Sequence, residues 1–373
     1  MKFTFDKDLM IKEISIAQEI ISTKNAGSIL SNVLLEAFNN TLTIKATDIK
    51  VNFETSIPVQ IEEEGSTTIF CDKFMGILNT LPSGETEFNQ ISNGEDSSVS
   101  VEIKPISKKV KFQIKSISQE NFPEVNFDEN LSYFEVPSKD FKEMISQTSF
   151  AVSEDETRYF MNGVFFEKKG DNLNLVATDG RRLSFATKQI LAGVNDFPSA
   201  IVHPKILNII VKHAPEEGNI NISIAEKMIF FSFSNYKFAS VLLEGQFPNY
   251  ERVIPAKQEN KLVINKADFV EALKRISLMV DKKAGRMFFN ISDGNLRITS
   301  QLSEFGSADE EIPCEYYGSS YVIALNYLYI EEPLRFINSD KIDFEFTEEM
   351  KAVTMKSEPE SDYFHIIMPM QKE

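Results

Sequence analysis

Residues able to make or break bonds are scarce in this chain, and their spacing argues against catalysis. His203, His213 and His365 fall in no HExxH-like or HxH arrangement, and Cys71 and Cys314 have no metal-ligand partner at zinc spacing. No GxSxG elbow, P-loop or GxGxxG occurs. The run Asp309-Glu310-Glu311 could in principle supply a general acid/base or magnesium pair, but such acidic runs are ordinarily solvated loop surface. No catalytic residue, metal ligand or cofactor is assigned, and an enzyme is the weakest hypothesis. Residues suited to binding are more plentiful. Met161, Leu183, Pro248, Val253 and the segment Ile366-Ile367-Met368-Pro369-Met370 are apolar side chains beside turns or near a chain end. Methionines flanking a proline make an adaptable, polarisable surface suited to a groove that accepts several peptides. The same residues could equally complete a hydrophobic core.

The elements that position these residues repeat. Asn32-Val33-Leu34-Leu35-Glu36 runs into Leu42-Thr43-Ile44-Lys45-Ala46-Thr47-Asp48, and Gly163-Val164-Phe165-Phe166-Glu167 into Leu173-Asn174-Leu175-Val176-Ala177-Thr178-Asp179. A third copy, Met287-Phe288-Phe289-Asn290, runs into Leu296-Arg297-Ile298-Thr299-Ser300. The steps are 131 and 123 residues, far above the roughly 20–50 of solenoids and propellers, so each unit can own a core. Each unit opens with an apolar stripe of helical period: Met10, Ile14, Ala17 and Ile21; Phe141, Ile145, Thr148 and Val152; Phe269, Leu273, Ile276 and Val280. Asp6, Ser138 and Asn265 stand where an N-cap is expected. A second helix is predicted over 72–81, 204–213 and about 323–330, with Pro82, Pro215 and Pro333 stopping each one. The remainder reads as short strands rich in β-branched and aromatic residues, such as Met228 to Phe233 and Lys341 to Phe346. The fold class is α+β, each unit two helices on antiparallel sheet. The similar junctions Phe122-Pro123-Glu124-Val125 and Phe247-Pro248-Asn249-Tyr250 place the domains at 1–124, 125–250 and 251–373. Asp179-Gly180 reads as a turn, with glycine accepting positive φ.

Composition is that of a soluble globular protein, 42% hydrophobic and 25% charged over 373 residues. No apolar run approaches a membrane span, the first residues lack a signal-peptide core, and two cysteines are too few for a disulfide framework, so the cytoplasm is expected. The net charge of −17 argues against nucleic acid, but its distribution is uneven. Between Lys261 and Arg297 there are eight basic and four acidic residues, and from Ser303 to Glu373 five basic and sixteen acidic. Such a chain could present a basic face and an acidic one.

Several motifs in order resemble a known family. Arg158-Tyr159-Phe160-Met161-Asn162-Gly163, Ala177-Thr178-Asp179-Gly180-Arg181-Arg182-Leu183, Phe247-Pro248-Asn249-Tyr250-Glu251-Arg252-Val253-Ile254-Pro255 and Met368-Pro369-Met370 are similar to signatures of the bacterial DNA polymerase III beta subunits, the sliding clamps. The resemblance spans the whole chain, triple repeat included. It implies three clamp domains per chain and a head-to-tail homodimer ring that encircles double-stranded DNA without reading its sequence. It also implies docking of the replicative polymerase, an ATP-driven clamp loader and other proteins through short linear motifs, with no cofactor and no membrane. Residue by residue, it nominates Lys24, Tyr159 and Phe160 for DNA contact; local charge adds Lys274, Arg275, Lys282, Lys283 and Arg286. The partner pocket it implies comprises Met161, Thr178, Gly180, Arg181, Arg182, Leu183, Pro248, Arg252, Val253, Ile366, Met368, Pro369 and Met370. There Leu183, Val253, Met368 and Met370 would receive apolar anchors, while Thr178, Arg181 and Arg182 shape the rim. The ring interface it implies sets Phe112 and Ile114 against Leu278 and Met279. The rival reading is a three-domain peptide-binding adaptor that never encircles DNA.

Overall fold

The computed structural model describes the chain except residues 22–24, 26, 93–98, 125–126, 128–130, 192–193 and 373, so Lys24 and Val125 lie outside the described residues. The helices are α1 (Lys7–Ile20), α2 (Cys71–Leu78), α3 (Ser138–Thr148), α4 (Pro204–His213), α5 (Lys266–Ser277) and α6 (Tyr327–Leu334), two for each sequence repeat. Asp6 caps α1, its carboxylate accepting from the amides of Asp8 and Leu9 at 2.9 Å each, and Asn265 caps α5 by accepting from Asp268 at 3.1 Å. Met10, Ile14 and Ala17 of α1, Phe141, Ile145 and Thr148 of α3, and Phe269, Leu273 and Ile276 of α5 are buried as the stripe requires.

Four local expectations are corrected. Ser138 is the first residue of α3 and not its cap; the cap position is Pro137, at φ −53° and ψ 131°, with no side-chain hydrogen bond. The ring presets the entry angle but offers no acceptor. Val152 falls outside α3, because the chain tightens into a 3-10 turn at Ser149–Ala151 after the Thr148 hydroxyl donates to the Met144 carbonyl at 2.8 Å. Helix α2 ends at Leu78, where the Thr80 hydroxyl donates to the Ile77 carbonyl at 2.7 Å. Ile323 belongs to the strand Tyr321–Asn326, and α6 starts after it because the Asn326 side chain accepts from the Leu328 amide at 3.0 Å. Pro333 consequently sits in the last turn of α6 and does not stop it.

Two compact units result. One, Met1–Val136 with Lys212–Leu242, contains a five-stranded and an eight-stranded sheet; the other, Pro137–Val211 with Leu243–Glu373, contains a twelve-stranded sheet. The middle repeat thus contributes to both, through one recurring seam. In the first unit strand Tyr236–Val241 adds antiparallel to Val51–Pro58, with Lys237 opposite Glu54 and Phe238 opposite Phe53. In the second unit Tyr363–Ile367 adds to Arg182–Gln189, with Phe364 opposite Phe185 and His365 opposite Ser184. The first seam carries a Lys237–Glu54 ion pair at 3.1 Å, the second a stack of Phe185 on Phe364 at 4.8 Å between centroids. By repeat position the remaining strand of the adding kind is Phe112–Lys115, at the edge of the five-stranded sheet. The remaining receiving strand is Asp309–Glu315. It pairs with Asn295–Ser300 over Asp309 to Pro313, and its neighbour on the other side is reached only at Cys314 and Glu315.

Candidate functional site

The site begins as a turn. Asp179 accepts from the amides of Arg181 at 2.8 Å and Arg182 at 3.1 Å, while the Thr178 hydroxyl accepts from Gly180 at 3.0 Å and donates to the Arg182 carbonyl at 2.6 Å. Gly180 sits at φ +87°, the left-handed region where a side chain is strained. The Met368 amide then donates to the Arg181 carbonyl at 2.9 Å, drawing the last strand's end across the turn.

Beside this turn lies a cavity of about 220 Å³ lined by Met161, Thr178, Gly180, Arg181, Arg182, Leu183, Pro248, Asn249, Tyr250, Val253, Ile366 and Met368. Leu183 and Ile366 belong to a core cluster with Val176, Ile201, Phe247 and Tyr250, and the same two residues also line the cavity. Val253, 49% exposed, and Met368, 43% exposed, stand at the mouth. An apolar floor with a few fixed polar groups is the usual character of a ligand site.

Of the residues nominated for this pocket, three do not line it. Arg252 is exposed at the end of the 3-10 turn Tyr250–Arg252, and the Met370 amide is bonded to the Ala324 carbonyl at 2.8 Å, which carries Pro369 and Met370 past the cavity. Met370 therefore does not line this cavity. Asn249 and Tyr250 line it unannounced, although they belong to the junction motif after Phe247-Pro248. The Tyr250 hydroxyl donates to Glu167 at 2.6 Å, and burial, reinforced by that carboxylate, raises its pKa well above the ordinary phenol value. Two rim assignments also change. Thr178 and Arg182 are 7% and 8% exposed, walls and not rim, leaving Arg181 as the exposed basic group of the turn. The Arg182 guanidinium bonds the Asp179 carboxylate at 3.1 Å, the Phe150 carbonyl at 2.7 Å and the Glu332 carboxylate, and it lies between the Phe150 and Tyr329 rings. Nothing in the sequence signals these partners, which come from a 3-10 turn and α6. Behind the turn, His365 is fully buried with Nδ1 2.8 Å from the Ser184 hydroxyl. Burial, then the Arg182 charge, pushes its pKa down to about 3.

The residues nominated for DNA are not alike. Lys282 and Lys283 are exposed in the turn after α5, and Lys274, on α5, is exposed with Glu271 4.0 Å away. Arg275 is engaged by both oxygens of Glu310 at 2.5 and 2.8 Å, so its charge is matched locally. Arg286 is half-buried in the strand Arg286–Ser292. Tyr159 is 52% exposed, whereas Phe160 packs against the core cluster below the pocket. The residues nominated for a ring interface lie at surfaces: Phe112 and Ile114 on the edge strand, half-buried, and Leu278 82% exposed beside a half-buried Met279. Leu302 and Phe305, at 77% and 82% exposure, add two further apolar groups on the hairpin before Asp309–Glu315.

Family models of the DNA polymerase III beta subunit match the chain throughout: the N-terminal domain over residues 1–126, the central domain over 135–249 and the C-terminal domain over 251–371. The beta sliding clamp of Treponema pallidum is 46% identical, with all of both chains covered. Among solved structures, a sliding clamp of Bartonella birtlesii bound to griselimycin superposes with a TM-score of 0.91 at 28% identity, covering all of both chains. The Bacillus subtilis clamp, at 22% identity and a TM-score of 0.93 over all of both chains, shares the fold.

Proposed function

The chain belongs to the DNA polymerase III beta subunit family, and on that premise we propose how its own residues do the family's work. It is a sliding clamp that confers processivity on the replicative DNA polymerase, a role that needs no catalysis. Two copies join head to tail, the edge strand Phe112–Lys115 of one adding to the open side of Asp309–Glu315 of the other. The observation that carries this reading is the recurring seam, used twice inside the chain and left open once at each of these two strands. Matching the open strands to the register of the closed ones sets Lys111 opposite Asp309 and Phe112 opposite Ala308. Lys111 then repeats the part of Lys237 at the first seam, and Leu278, Met279, Leu302 and Phe305 gain apolar cover. The added strand also removes an exposed edge. Because the two surfaces differ, closure into a ring of two depends on the angle built into each chain.

Duplex DNA is held without sequence readout, by phosphate contacts that position and do not specify. Lys274, Lys282, Lys283 and Tyr159 are the residues we assign to that contact; Arg275 is spoken for by Glu310, and Lys24 is assigned on family resemblance alone. The cavity at Gly180 receives short linear motifs of the polymerase, of an ATP-driven clamp loader and of other DNA-processing proteins, with Leu183, Val253 and Met368 taking apolar anchors. Such sites concentrate their energy in a few buried side chains. None of the described helices is long and apolar enough to cross a membrane; a replication clamp acts in the cell interior, and we assign it to the cytoplasm.

Solution mass across a concentration series is the first test, with a species at twice 42.4 kDa expected. Lys111→Glu should weaken the dimer and a second change, Asp309→Lys, should restore it; Leu278→Asp should give monomers by placing an unpaired charge in an apolar contact. A dimer indifferent to all three changes puts the interface elsewhere. Retention on circular DNA that is lost on linearisation separates a clamp from an adaptor that only binds peptides.

A further inference from the structure

We propose that Arg182 is the positioning residue of the pocket, a brace that ties the Thr178–Arg182 turn to α6 and to the Ser149–Ala151 turn, so that the cavity wall is fixed before a partner arrives. This rests on the pocket reading above.

The guanidinium is held on every side. It donates to Asp179 in its own turn, to the carbonyl of Phe150 and to Glu332 of α6, and its faces meet the rings of Phe150 at 5.5 Å and Tyr329 at 4.6 Å from the centroids. A planar fork with five donors can satisfy three oxygens and two rings at once; a lysine cannot. Burying such a charge is costly unless it is fully paired, and a broken pair is costlier still. An arginine retained here needs a reason beyond filling space.

The chain contains its own control. Thr47, Asp48, Ile49, Lys50 and Val51 of the first repeat occupy the places of Thr178, Asp179, Gly180, Arg181 and Arg182. The Ile49 amide donates to the Thr47 hydroxyl at 2.9 Å, and the Lys50 and Val51 amides donate to Asp48 at 3.1 and 2.7 Å. The Val241 amide donates to the Lys50 carbonyl at 2.9 Å, as Met368 does to Arg181. In this turn Val51, 3% exposed, stands where Arg182 stands in the other. Neither the turn nor the seam therefore requires an arginine. The second turn borders the cavity, with the braced residue in its wall. A wall held in its bound shape spares a partner the cost of ordering it.

Glu332 is outside the cavity lining, so Glu332→Gln takes the charge from the brace's link to α6 without altering a pocket contact; Arg182→Lys keeps the charge and loses the fork. Amide hydrogen exchange without ligand is the primary readout. In both variants exchange should rise at Arg181, Arg182 and Met368 and stay unchanged at Lys50, Val51 and Val241. Unchanged exchange at the pocket turn overturns the brace. Griselimycin, which the Bartonella protein carries, is the binding probe, and its affinity should fall about tenfold in both variants, the scale of one charge-assisted hydrogen bond. Ile330→Val, a core change in α6, serves as the stability control and should leave affinity unchanged. Wild-type affinity in Glu332→Gln and Arg182→Lys, or a loss matched by Ile330→Val at equal thermal midpoint, overturns the positioning role. A wild-type protein that ignores griselimycin counts against the pocket reading, while the exchange result still decides the brace.

Discussion

The turns at Thr47 to Val51 and at Thr178 to Arg182 share the amide bonds to their Thr and Asp side chains and the bond from the following repeat's last strand, and the second borders the 220 Å³ cavity. They differ in the threonine's acceptor, which is the Asn52 side chain in the first turn and the Arg182 carbonyl in the second, and in the residues at the third and fifth positions. Ile49 sits at φ +77° and is 64% exposed, a β-branched residue in a region that costs it roughly 1–2 kcal/mol. Gly180 adopts nearly the same backbone at φ +87° without that cost and leaves open the space an isoleucine would fill. One scaffold thus carries two corners that differ at the left-handed position and at the residue two places on.

Exchanging those residues should produce the largest effect. Gly180→Ile imports the first turn's strain and sets a branched side chain beside the Arg158 guanidinium, 3.2 Å from where its Cβ would lie. In the proposed pocket, affinity for griselimycin, the ligand of the Bartonella protein, should fall by more than about a hundredfold with the solution mass unchanged; affinity equal to that of the unaltered chain would show that the pocket does not depend on this corner. Next, Val253→Ala with Met368→Ala trims two exposed mouth residues and should cost about tenfold in the same assay, with little change in thermal midpoint.

The two seams should also respond differently to acid. His365 in the second seam occupies the register position of Phe238 in the first. Its pKa is lowered from 6.5 to about 3, so the unfolded chain takes up the proton first. Stability is therefore whole above about pH 6.5 and declines toward pH 3, by about 1.4 kcal/mol per pH unit for this one group. His365→Asn keeps an acceptor for Ser184 and should flatten that slope in a pH series of thermal midpoints; an unchanged slope would assign it to other groups. Glu13 near the first seam, whose pKa burial raises, acts in the opposite sense: its stabilisation is complete below about pH 4.5 and is lost as pH rises through its folded value. The smallest expected effect is Ile49→Gly, which should stabilise the protein by about 1 kcal/mol of relieved strain, read as a higher thermal midpoint.

The helical stripes, the caps Asp6 and Asn265 and the bounds of α4 were readable because each depends on neighbours within a turn or two. The start of α6 was misplaced because a single side chain, Asn326, decides between strand and helix after a run that suits both. At the pocket, Leu183, Met161, Ile366 and Met368 were legible from residue type beside turns. Arg182 was not, since its meaning depends on Phe150 and Glu332, and Glu332 is 150 residues away. Arg252, Pro369 and Met370, nominated on family resemblance, fall outside the lining of this cavity because the backbone turns them away from it.

Met368 crossing the carbonyl of Arg181 has a consequence for synthesis. The corner at Gly180 is translated just before the midpoint of the chain, but its floor and mouth wait for Ile366 and Met368. Contacts so distant in sequence close late. A nascent chain still on the ribosome therefore lacks the finished cavity, and the docking proposed for it waits for a chain complete through Met368.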